Sequence, residues 1–433
     1  MTTNAALHQF SRRVAFGFRP GQALPADPLA WAVPQVRQLP PIGVFGPDGQ
    51  VRSDLPTGMK LVSGMDELMR RYQESSDVDD ELRVQSTRMA TADYERLRQE
   101  RLSLPFHRLE HWKEVQARAS TALYGQAPVF ERFWHFWTNH FMVTPGTQRN
   151  DVLVGPYQRA LREGMLGSFK DLLQLAVTHP GMLVYLDNIR NTGPNARLRR
   201  EGRTKDSVNE NLGRELLELF TLSPAAGYTQ QDVEQATLIL TGWGVQRPDK
   251  RHQAGVALGT RFDFNRHEPG SQTVMGKTYR ALLRPSSKLE DLVADLAVHP
   301  ATLRHLAHKL CVYFMDDEPP ERAVAHVEQA FVRSNGHLPA VHEAVLEACW
   351  FTLGSTRKFA SPEAWLWQCY TVTGLTLPQA LPLPNVPGLL RPRTCCMTWG
   401  RPCRAVRNRM AGPSSRWTGC RARCWTGAFA GRR

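Results

Sequence analysis

The most apolar stretch of the chain lies at residues 130–141, where six of twelve residues are Phe or Trp. At 100° per residue, most of these rings fall on one broad stripe of a helix: Phe130, Phe133, Trp134, Trp137 and Phe141. Phe136 lies off that stripe, so the apolar surface continues around much of the circumference. The pattern predicts a helix that neighbours bury on several sides, with Pro128 in its first turn.

Helical spacing of apolar residues recurs over most of the chain between residues 65 and 374. We expect residues 207–210 and 229–232 to form capping boxes, because each begins with Ser or Thr and ends with an acidic residue. The phrases His179-Pro180 and His299-Pro300 predict two further helix starts, with Pro in the first turn and His near the cap. These signals indicate a mainly helical protein.

The hydrophobic period changes between about residues 258 and 280. Phe262 and Phe264 alternate with polar residues, residues 268–271 suit a turn, and Val274-Met275 is expected to return as a second strand. Because strand signals are sparse elsewhere, the sequence predicts an all-α domain with one small β-hairpin near 258–280.

The predicted organisation has three parts. Residues 1–60 hold a helix and a Pro-rich irregular segment, residues 61–385 form the helical domain, and residues 386–433 form an Arg- and Cys-rich tail. Three interpretations of the tail are open. A frameshifted reading of a GC-rich gene is favoured over a disordered anion-binding arm, or over a metal-binding cluster around Cys420 and Cys424.

Charge is concentrated in the tail. The chain carries a formal charge of +13, of which eleven Arg of residues 391–433 contribute +11, leaving about +2 for the rest. A nearly neutral body gives no electrostatic footprint for nucleic acid, so no such partner is predicted. The three cysteines before the tail do not suggest a disulfide framework.

No stretch reaches the length of a transmembrane helix. The sequence Ser11-Arg12-Arg13 is similar to a twin-arginine export signal, but Gly17 and Pro20 follow where an apolar run is needed. As encoded, the chain is therefore expected to lack a signal peptide and to be cytoplasmic.

Polar residues within apolar helical phrases are the candidate catalytic residues: Asn139, His140, Asp187, Asn188, Asn211 and Glu215. Imidazole in an apolar setting can transfer protons or bind a metal, whereas a lone His on an aromatic helix commonly bonds a backbone carbonyl. Asp and Asn can supply oxygen ligands or terminate a helix. Both interpretations of each residue remain open.

Three further residues are candidates for binding. Trp243, between two glycines, is either a packing anchor or a ligand contact, and His267 with Lys277 is expected to be exposed enough to touch a ligand or partner. The sequence holds no HExxH, glycine-rich phosphate loop, GxSxG elbow or paired CxxC, which disfavours the common metalloprotease, nucleotide-binding, serine-hydrolase and zinc-ribbon classes.

Several phrases in a fixed order resemble one family, the bacterial domain of unknown function 1800. They are residues 12–17 (RRVAFG), 136–141 (FWTNHF), 209–222 (NENLGRELLELFTL), 227–233 (GYTQQDV), 240–243 (LTGW), 267–270 (HEPG) and 275–277 (MGK). The resemblance covers roughly residues 5–385. This chain has Gly213 where Ala is common, and Glu268 where Asp is common.

The resemblance implies no reaction, because the family has no assigned activity. It implies that many members are exported, and that a sulfatase-like protein is a partner. We therefore favour a hydrolase-like or metal-assisted enzyme with a polar site between buried helices, without a named cofactor or metal. The alternative is a non-catalytic helical protein that acts with the sulfatase-like partner.

Overall fold

Helices dominate the computed structural model, which describes residues 4–52, 81–82, 84–101, 106–145, 148–246, 259–281 and 283–377. The α-helices are α1 (Asn4–Val14), α2 (Pro28–Ala32), α3 (Thr91–Arg101), α4 (Phe106–Tyr124), α5 (Pro128–His140), α6 (Gln148–Gly164), α7 (Phe169–Thr178), α8 (Pro180–Tyr185), α9 (Arg197–Arg200), α10 (Asn211–Glu215), α11 (Gln230–Leu240), α12 (Ser287–Val298), α13 (Pro300–Phe314), α14 (Glu321–Arg333), α15 (Leu338–Phe351) and α16 (Pro362–Thr373). Short 3₁₀ helices cover Val33–Val36, Asn188–Arg190 and Pro224–Ala226. The mainly helical class is therefore confirmed.

The aromatic helix α5 is buried on every side, as its sequence predicts. From residue 129 onward, Asn139 alone on this helix is exposed, and Pro128 occupies the first turn. Phe133 lies 4.5 Å from the ring of Phe314 on α13 and stacks on His342 of α15 at 4.1 Å. Helices α4 and α6 pack on other sides of α5, so this helix is the centre of the main core.

A buried ion pair ties the N-terminal segment to this centre. Arg162 of α6 donates to both carboxylate oxygens of Glu131 on α5, and both side chains are almost fully buried. The same guanidinium donates to the carbonyl of Pro40 at 2.8 Å. The Pro-rich segment is thereby attached to the core through backbone carbonyls, which need no particular side chain.

The strands form two small antiparallel pairs. Strand β1 (Trp243–Val245) pairs with β2 (Thr260–Phe262), and β3 (Gln272–Val274) pairs with β4 (Lys277–Tyr279). The expected pairing of the Phe262 strand with Val274-Met275 is therefore wrong. The hairpin turns instead at Met275-Gly276, where φ is +50° and +76°, the double positive φ of a tight two-residue turn.

The capping predictions have mixed outcomes. Thr229 and Asp232 form a capping box on α11, and His179 and His299 cap α8 and α13 by accepting a backbone N–H at Nδ1. The expected box at residues 207–210 does not form, because α10 begins only at Asn211 and Glu210 makes no capping bond there.

The helix after α10 widens into a π-helix over Leu216–Phe220. A π-helical turn holds an extra residue, which shifts the following side chains around the axis. The spacing of Leu212, Leu216, Leu219 and Phe220 predicts a buried stripe in a regular helix. Because of the π-helical turn, Leu219 is instead 45% exposed, while Leu217 is fully buried. Gly213, just before this turn, allows α10 to approach α11, since a Cβ atom there would lie 2.2 Å from Thr237 Oγ1.

One boundary prediction changes, and another lies outside the described residues. The apolar spacing after Pro156 predicts a helix start there, but Pro156 lies inside α6, which begins eight residues earlier. The tail from residue 386 lies outside the described residues, and the three-part division of the chain stays a prediction. Within the described residues, the helices are too short or too polar to cross a membrane.

Asp232→Ala should lower the free energy of unfolding by about 1–3 kcal/mol. Asp232 accepts from the backbone N–H of Thr229 and, through its other oxygen, from Met275 N–H at 2.6 Å, so one carboxylate holds both a helix start and the hairpin turn. Urea unfolding measures the loss. Asp171→Ala is the matched control, because Asp171 has the same position after the cap residue Ser168 in α7 and, apart from an exposed ion pair with Lys170 at 3.9 Å, bonds only within that cap. Equal losses in the two variants would contradict the anchoring role.

His342 should make the protein less stable in acid. Burial, and to a smaller extent His337, lowers the pKa of His342 to about 3, whereas an unfolded His titrates near 6.5. Below pH ~6.5, His342 binds a proton in the unfolded chain but not in the folded chain. The free energy of unfolding therefore falls by about 1.4 kcal/mol per pH unit as the pH drops from ~6.5 toward 3. In urea unfolding between pH 6 and 4, His342→Gln should flatten this slope by that amount, whereas substitution of the exposed His8 by Gln should not. A slope unchanged by His342→Gln would refute the assignment.

Candidate functional site

His140 lies at the C-terminal end of α5 with its ring buried. Its Nε2 lies 3.2 Å from the carbonyl oxygen of Phe220, and its Nδ1 lies 2.9 Å from Nζ of Lys309 on α13. Because a carbonyl only accepts, Nε2 carries the hydrogen and Nδ1 accepts from the amine. The interpretation of His140 as a residue bonded to a backbone carbonyl is confirmed, but its second nitrogen faces a titratable amine.

The carbonyl that orients His140 belongs to the π-helix. At the end of this helix, Phe220 accepts from His140, and the carbonyl of Leu219 accepts from a ring N–H of His305 on α13. Carbonyl groups at a helix end lack intrahelical partners and need others. Two imidazoles from different helices supply them here, so the π-helix connects α5 to α13.

A cavity of about 520 Å³ lies beside this pair. Its lining comes from α5, α13 and the segment before α16: Arg132, Phe136, Asn139, His140, His308, Lys309, Val312, Tyr313, Lys358, Phe359, Ala360, Ser361 and Pro362. On α5, Arg132, Phe136 and His140 are four residues apart and share one face. The cavity therefore follows this face of the aromatic helix.

Arg132, one of the residues that line the cavity, has unpaired hydrogen-bond donors. Its side chain is 3% exposed, and its Nε and Nη1 atoms have no hydrogen-bond partner among the described residues. The guanidinium lies 4.7 Å from the ring centre of Tyr313, whose buried hydroxyl is also unpaired. Buried polar groups are normally hydrogen-bonded, so unpaired groups at a cavity wall suggest that a ligand bonds to them.

The lining is positively charged. The lining contains three cationic residues, Arg132, Lys309 and Lys358, and no carboxylate. Two carboxylates lie nearby: Asp317 pairs with Lys358, and Glu363 is close enough to Arg132 to interact with its charge. No group of three or more His, Cys, Asp and Glu side chains suited to a metal occurs among the described residues. The lining favours an anion over a metal cation.

Burial changes the protonation of both partners in the His140–Lys309 pair. It lowers the pKa of His140 well below its usual value, with Lys309 as the second cause, so His140 is neutral at pH 7. Burial also lowers the pKa of Lys309 to about 8. A lysine with this pKa exchanges protons near physiological pH.

Asn139 and His140 are the predicted catalytic residues that meet at the cavity. Asn139 is exposed and also lines a smaller adjoining cavity with Arg118 and Glu363. The amide of Asn139 therefore lies between two cavities. The other four predicted catalytic residues, Asp187, Asn188, Asn211 and Glu215, do not line the cavity beside His140.

Asp187 and Asn188 lie in a different part of the fold. Asn188 is buried and donates to the carbonyls of Leu240 and Trp243 at 3.1 and 3.0 Å, so its amide joins the end of α11 to β1. Asp187 is exposed in the left-handed region at φ +56°. Both residues follow α8, but neither bonds its own backbone to end it.

Asn211 and Glu215 lie on α10, just before the π-helix. Asn211 is exposed, whereas Glu215 is half-buried, and burial followed by the charge of Glu218 raises its pKa. The expected pair Glu210–Arg214 forms at 3.0 Å. These residues belong to the element that holds Phe220 but not to the cavity wall.

The three predicted binding residues have separate roles. Trp243 is buried against Phe262 at 5.3 Å, as a packing anchor would be. His267 is 5% exposed and bonds the carbonyl of Thr241, so the prediction that it is exposed enough to touch a partner is wrong. The turn folds back onto the end of α11, and Asn195 and Lys288 bond residue 268 there. Lys277 is exposed and pairs with Asp295.

Three residues of the cavity carry no sequence motif: Arg132, His308 and Lys309. One signal was present on α13, where His308 and Lys309 follow His305 by three and four residues, in a helix whose buried residues include Leu306 and Leu310. That spacing places polar side chains on one helical face. The sequence could not show that this face meets α5.

Comparison with known proteins gives a family but no activity. No curated protein and no solved structure showed a significant match. The family model described as Protein of unknown function (DUF1800) matches residues 9–394, which is most of the chain and includes every residue of the cavity. The resemblance of its motifs is thus confirmed, and the chain belongs to the DUF1800 family.

Proposed function

We propose that this chain binds a small anion with an apolar body in the cavity beside His140, and that Lys309 and His140 transfer a proton at the bound ligand. The observation that carries this proposal is the buried guanidinium of Arg132, which lines the cavity with two nitrogens unpaired. A carboxylate, sulfate or phosphate oxygen is the natural acceptor for such donors.

The energetics favour a charged acceptor over water alone. A buried donor without a partner costs roughly 1–3 kcal/mol, and a bond from a charged donor to an anion recovers more than a neutral one. Lys309 adds a second positive charge to the lining. An anion would therefore be attracted to the site before it makes any specific contact.

The body of the ligand is expected to be apolar. Phe136 and Val312 line the cavity between the charged groups, and Phe359 lies at its edge with 85% of its surface exposed. Exposed rings beside a cavity are suited to cover an aliphatic or aromatic group. The lining thus matches a molecule with one anionic end.

Proton transfer is the chemistry that the pair supports best. An acid–base group works best with a pKa close to the working pH, and that of Lys309 is lowered to about 8. His140 accepts from Nζ and is itself fixed by the Phe220 carbonyl, so the amine has a defined position.

Among the enzyme classes predicted from the sequence, this lining supports an acid–base hydrolase-like reaction over a metal-assisted one, because cationic walls repel a divalent metal. Asp187, Asn188, Asn211 and Glu215 are not among the residues that line this cavity, and a catalytic role for them stays a prediction. So does the alternative of a non-catalytic protein with a sulfatase-like partner.

Benzenesulfonate should raise the melting temperature of the protein. It has a single anionic end and an apolar ring, and saturation at ten times Kd stabilises a folded protein by about 1.4 kcal/mol, on the order of 1.5 °C here. Sodium chloride at equal ionic strength is the salt control. Arg132→Gln and Lys309→Gln should weaken binding by roughly 10- to 100-fold, since each removes a charged contact.

Lys170→Gln is the matched control, because Lys170 is an exposed lysine on α7 outside the cavity lining. It should leave the shift unchanged. An equal shift in all variants would place the anion elsewhere and refute the proposal.

The affinity for benzenesulfonate should fall as pH rises from 7 to 9. Lys309 loses its charge through a pKa of about 8, while Arg132 keeps its own charge. Lys309→Arg should flatten this decline because guanidinium stays charged over the range. Calorimetric titration at four pH values measures the profile, and an identical decline in Lys309→Arg would assign it to another group.

A further inference from the structure

Lys309 differs from several other lysines of the chain in the atom that it contacts. Lys288 donates to three oxygen acceptors, Lys277 pairs with Asp295, and Lys358 pairs with Asp317. Burial lowers the pKa of Lys288 to about 8, as it does for Lys309, but three oxygen acceptors already occupy the hydrogens of the Lys288 amine. The partner of Lys309 is instead the Nδ1 atom of a neutral imidazole, which accepts one hydrogen without stabilising the ammonium as a carboxylate does.

Burial disfavours the charged form of Lys309. His305 and His308 lie on its own helix, and Arg132, His140 and Lys358 face the same cavity region from other elements. At pH 7.5 a lysine with a pKa near 8 is neutral in roughly a quarter of molecules, about 200-fold more often than an ordinary lysine. A neutral amine is the nucleophilic form.

The position of Arg132 relative to Lys309 sets the distance between two ligand groups. The guanidinium of Arg132 lies over the ring of Tyr313, which is four residues after Lys309 on α13. Residues four apart on a helix are neighbours, with about 5–6 Å between their Cβ atoms. One small molecule can therefore reach both the guanidinium and the amine.

We propose that Lys309 forms an imine with the carbonyl carbon of an anionic aldehyde or keto acid whose carboxylate or phosphate binds Arg132. This inference rests on the anion site proposed above and adds a covalent step to it. The substrate class is a carbonyl compound with an anionic group about one helical turn away.

The step needs no further reagent. The lone pair of Nζ forms the new C–N bond as the carbonyl π electrons move to oxygen. The oxygen then leaves as water with the two hydrogens of the neutral amine, and a C=N bond results. His140 Nδ1 already accepts one N–H hydrogen, so it positions the amine with its lone pair directed away from the imidazole.

Pyridoxal 5′-phosphate is the probe for this inference, because it carries an aldehyde and a phosphate on one small ring. The full-length protein is incubated with it at pH 7.5 and reduced with borohydride, and the modified positions among the nine lysines are mapped by mass spectrometry. We expect Lys309 to be labelled at least 10-fold faster than the exposed Lys170. Pyridoxal, which lacks the phosphate, should label Lys309 at least 10-fold more slowly than the phosphate probe.

Two further measurements separate the covalent step from anion binding. Benzenesulfonate should protect Lys309 from the phosphate probe in the wild-type protein, so the result does not depend on the folding of a variant. Lys309→Arg should lose the label yet keep the melting shift with benzenesulfonate. Arg132→Gln should slow the phosphate probe while leaving pyridoxal labelling of Lys309 unchanged.

Two results would overturn the inference in different ways. Labelling of Lys309 no faster than Lys170, with the benzenesulfonate shift intact, would refute the nucleophilic amine and leave the anion site standing. Fast labelling of Lys309 that is equal for both probes and insensitive to benzenesulfonate would refute the anionic substrate, and the proposed function with it.

Discussion

Burial of α5 on every side is the constraint on which the rest of the structure depends. A helix with solvent on one face can leave its polar residues in water, whereas this helix has to pair them inside the protein. Glu131 therefore takes Arg162 as its partner, Trp137 donates to His342, and His140 binds the carbonyl of Phe220. Through these bonds, α5 fixes the positions of α6, α15 and the π-helix. Arg132 differs from them, since its protein contacts leave two donors unpaired.

The sequence predicted those parts of the fold that depend on local patterns. The aromatic helix, its start at Pro128, the cap at Thr229 and the two His-Pro helix starts all follow from neighbours within a few residues. The strand pairing was wrong because alternation marks a strand but not its partner. The stripe that included Leu219 was wrong because a π-helical turn changes the period of 3.6 on which that prediction rests.

The site shows the same division between local and long-range information. His140 was identifiable because a polar residue in an apolar phrase is visible in one segment. Lys309 was not, since its environment is made by α5, α13 and the segment that leads into α16, whose lining residues are up to 230 residues apart. Burial of an amine, and the lowering of its pKa, is a property of packing between elements.

The extra residue within Leu216–Phe220 determines the direction of the carbonyl groups that contact His140 and His305. Removing one residue from this stretch would restore an α-helix, in which each carbonyl points along the axis to the next turn. The Phe220 oxygen would then rotate by about 100° away from His140, and the Leu219 oxygen away from His305. Gain of a single residue in a helix, without any new catalytic side chain, thus changes which imidazoles the free carbonyls at its end can reach.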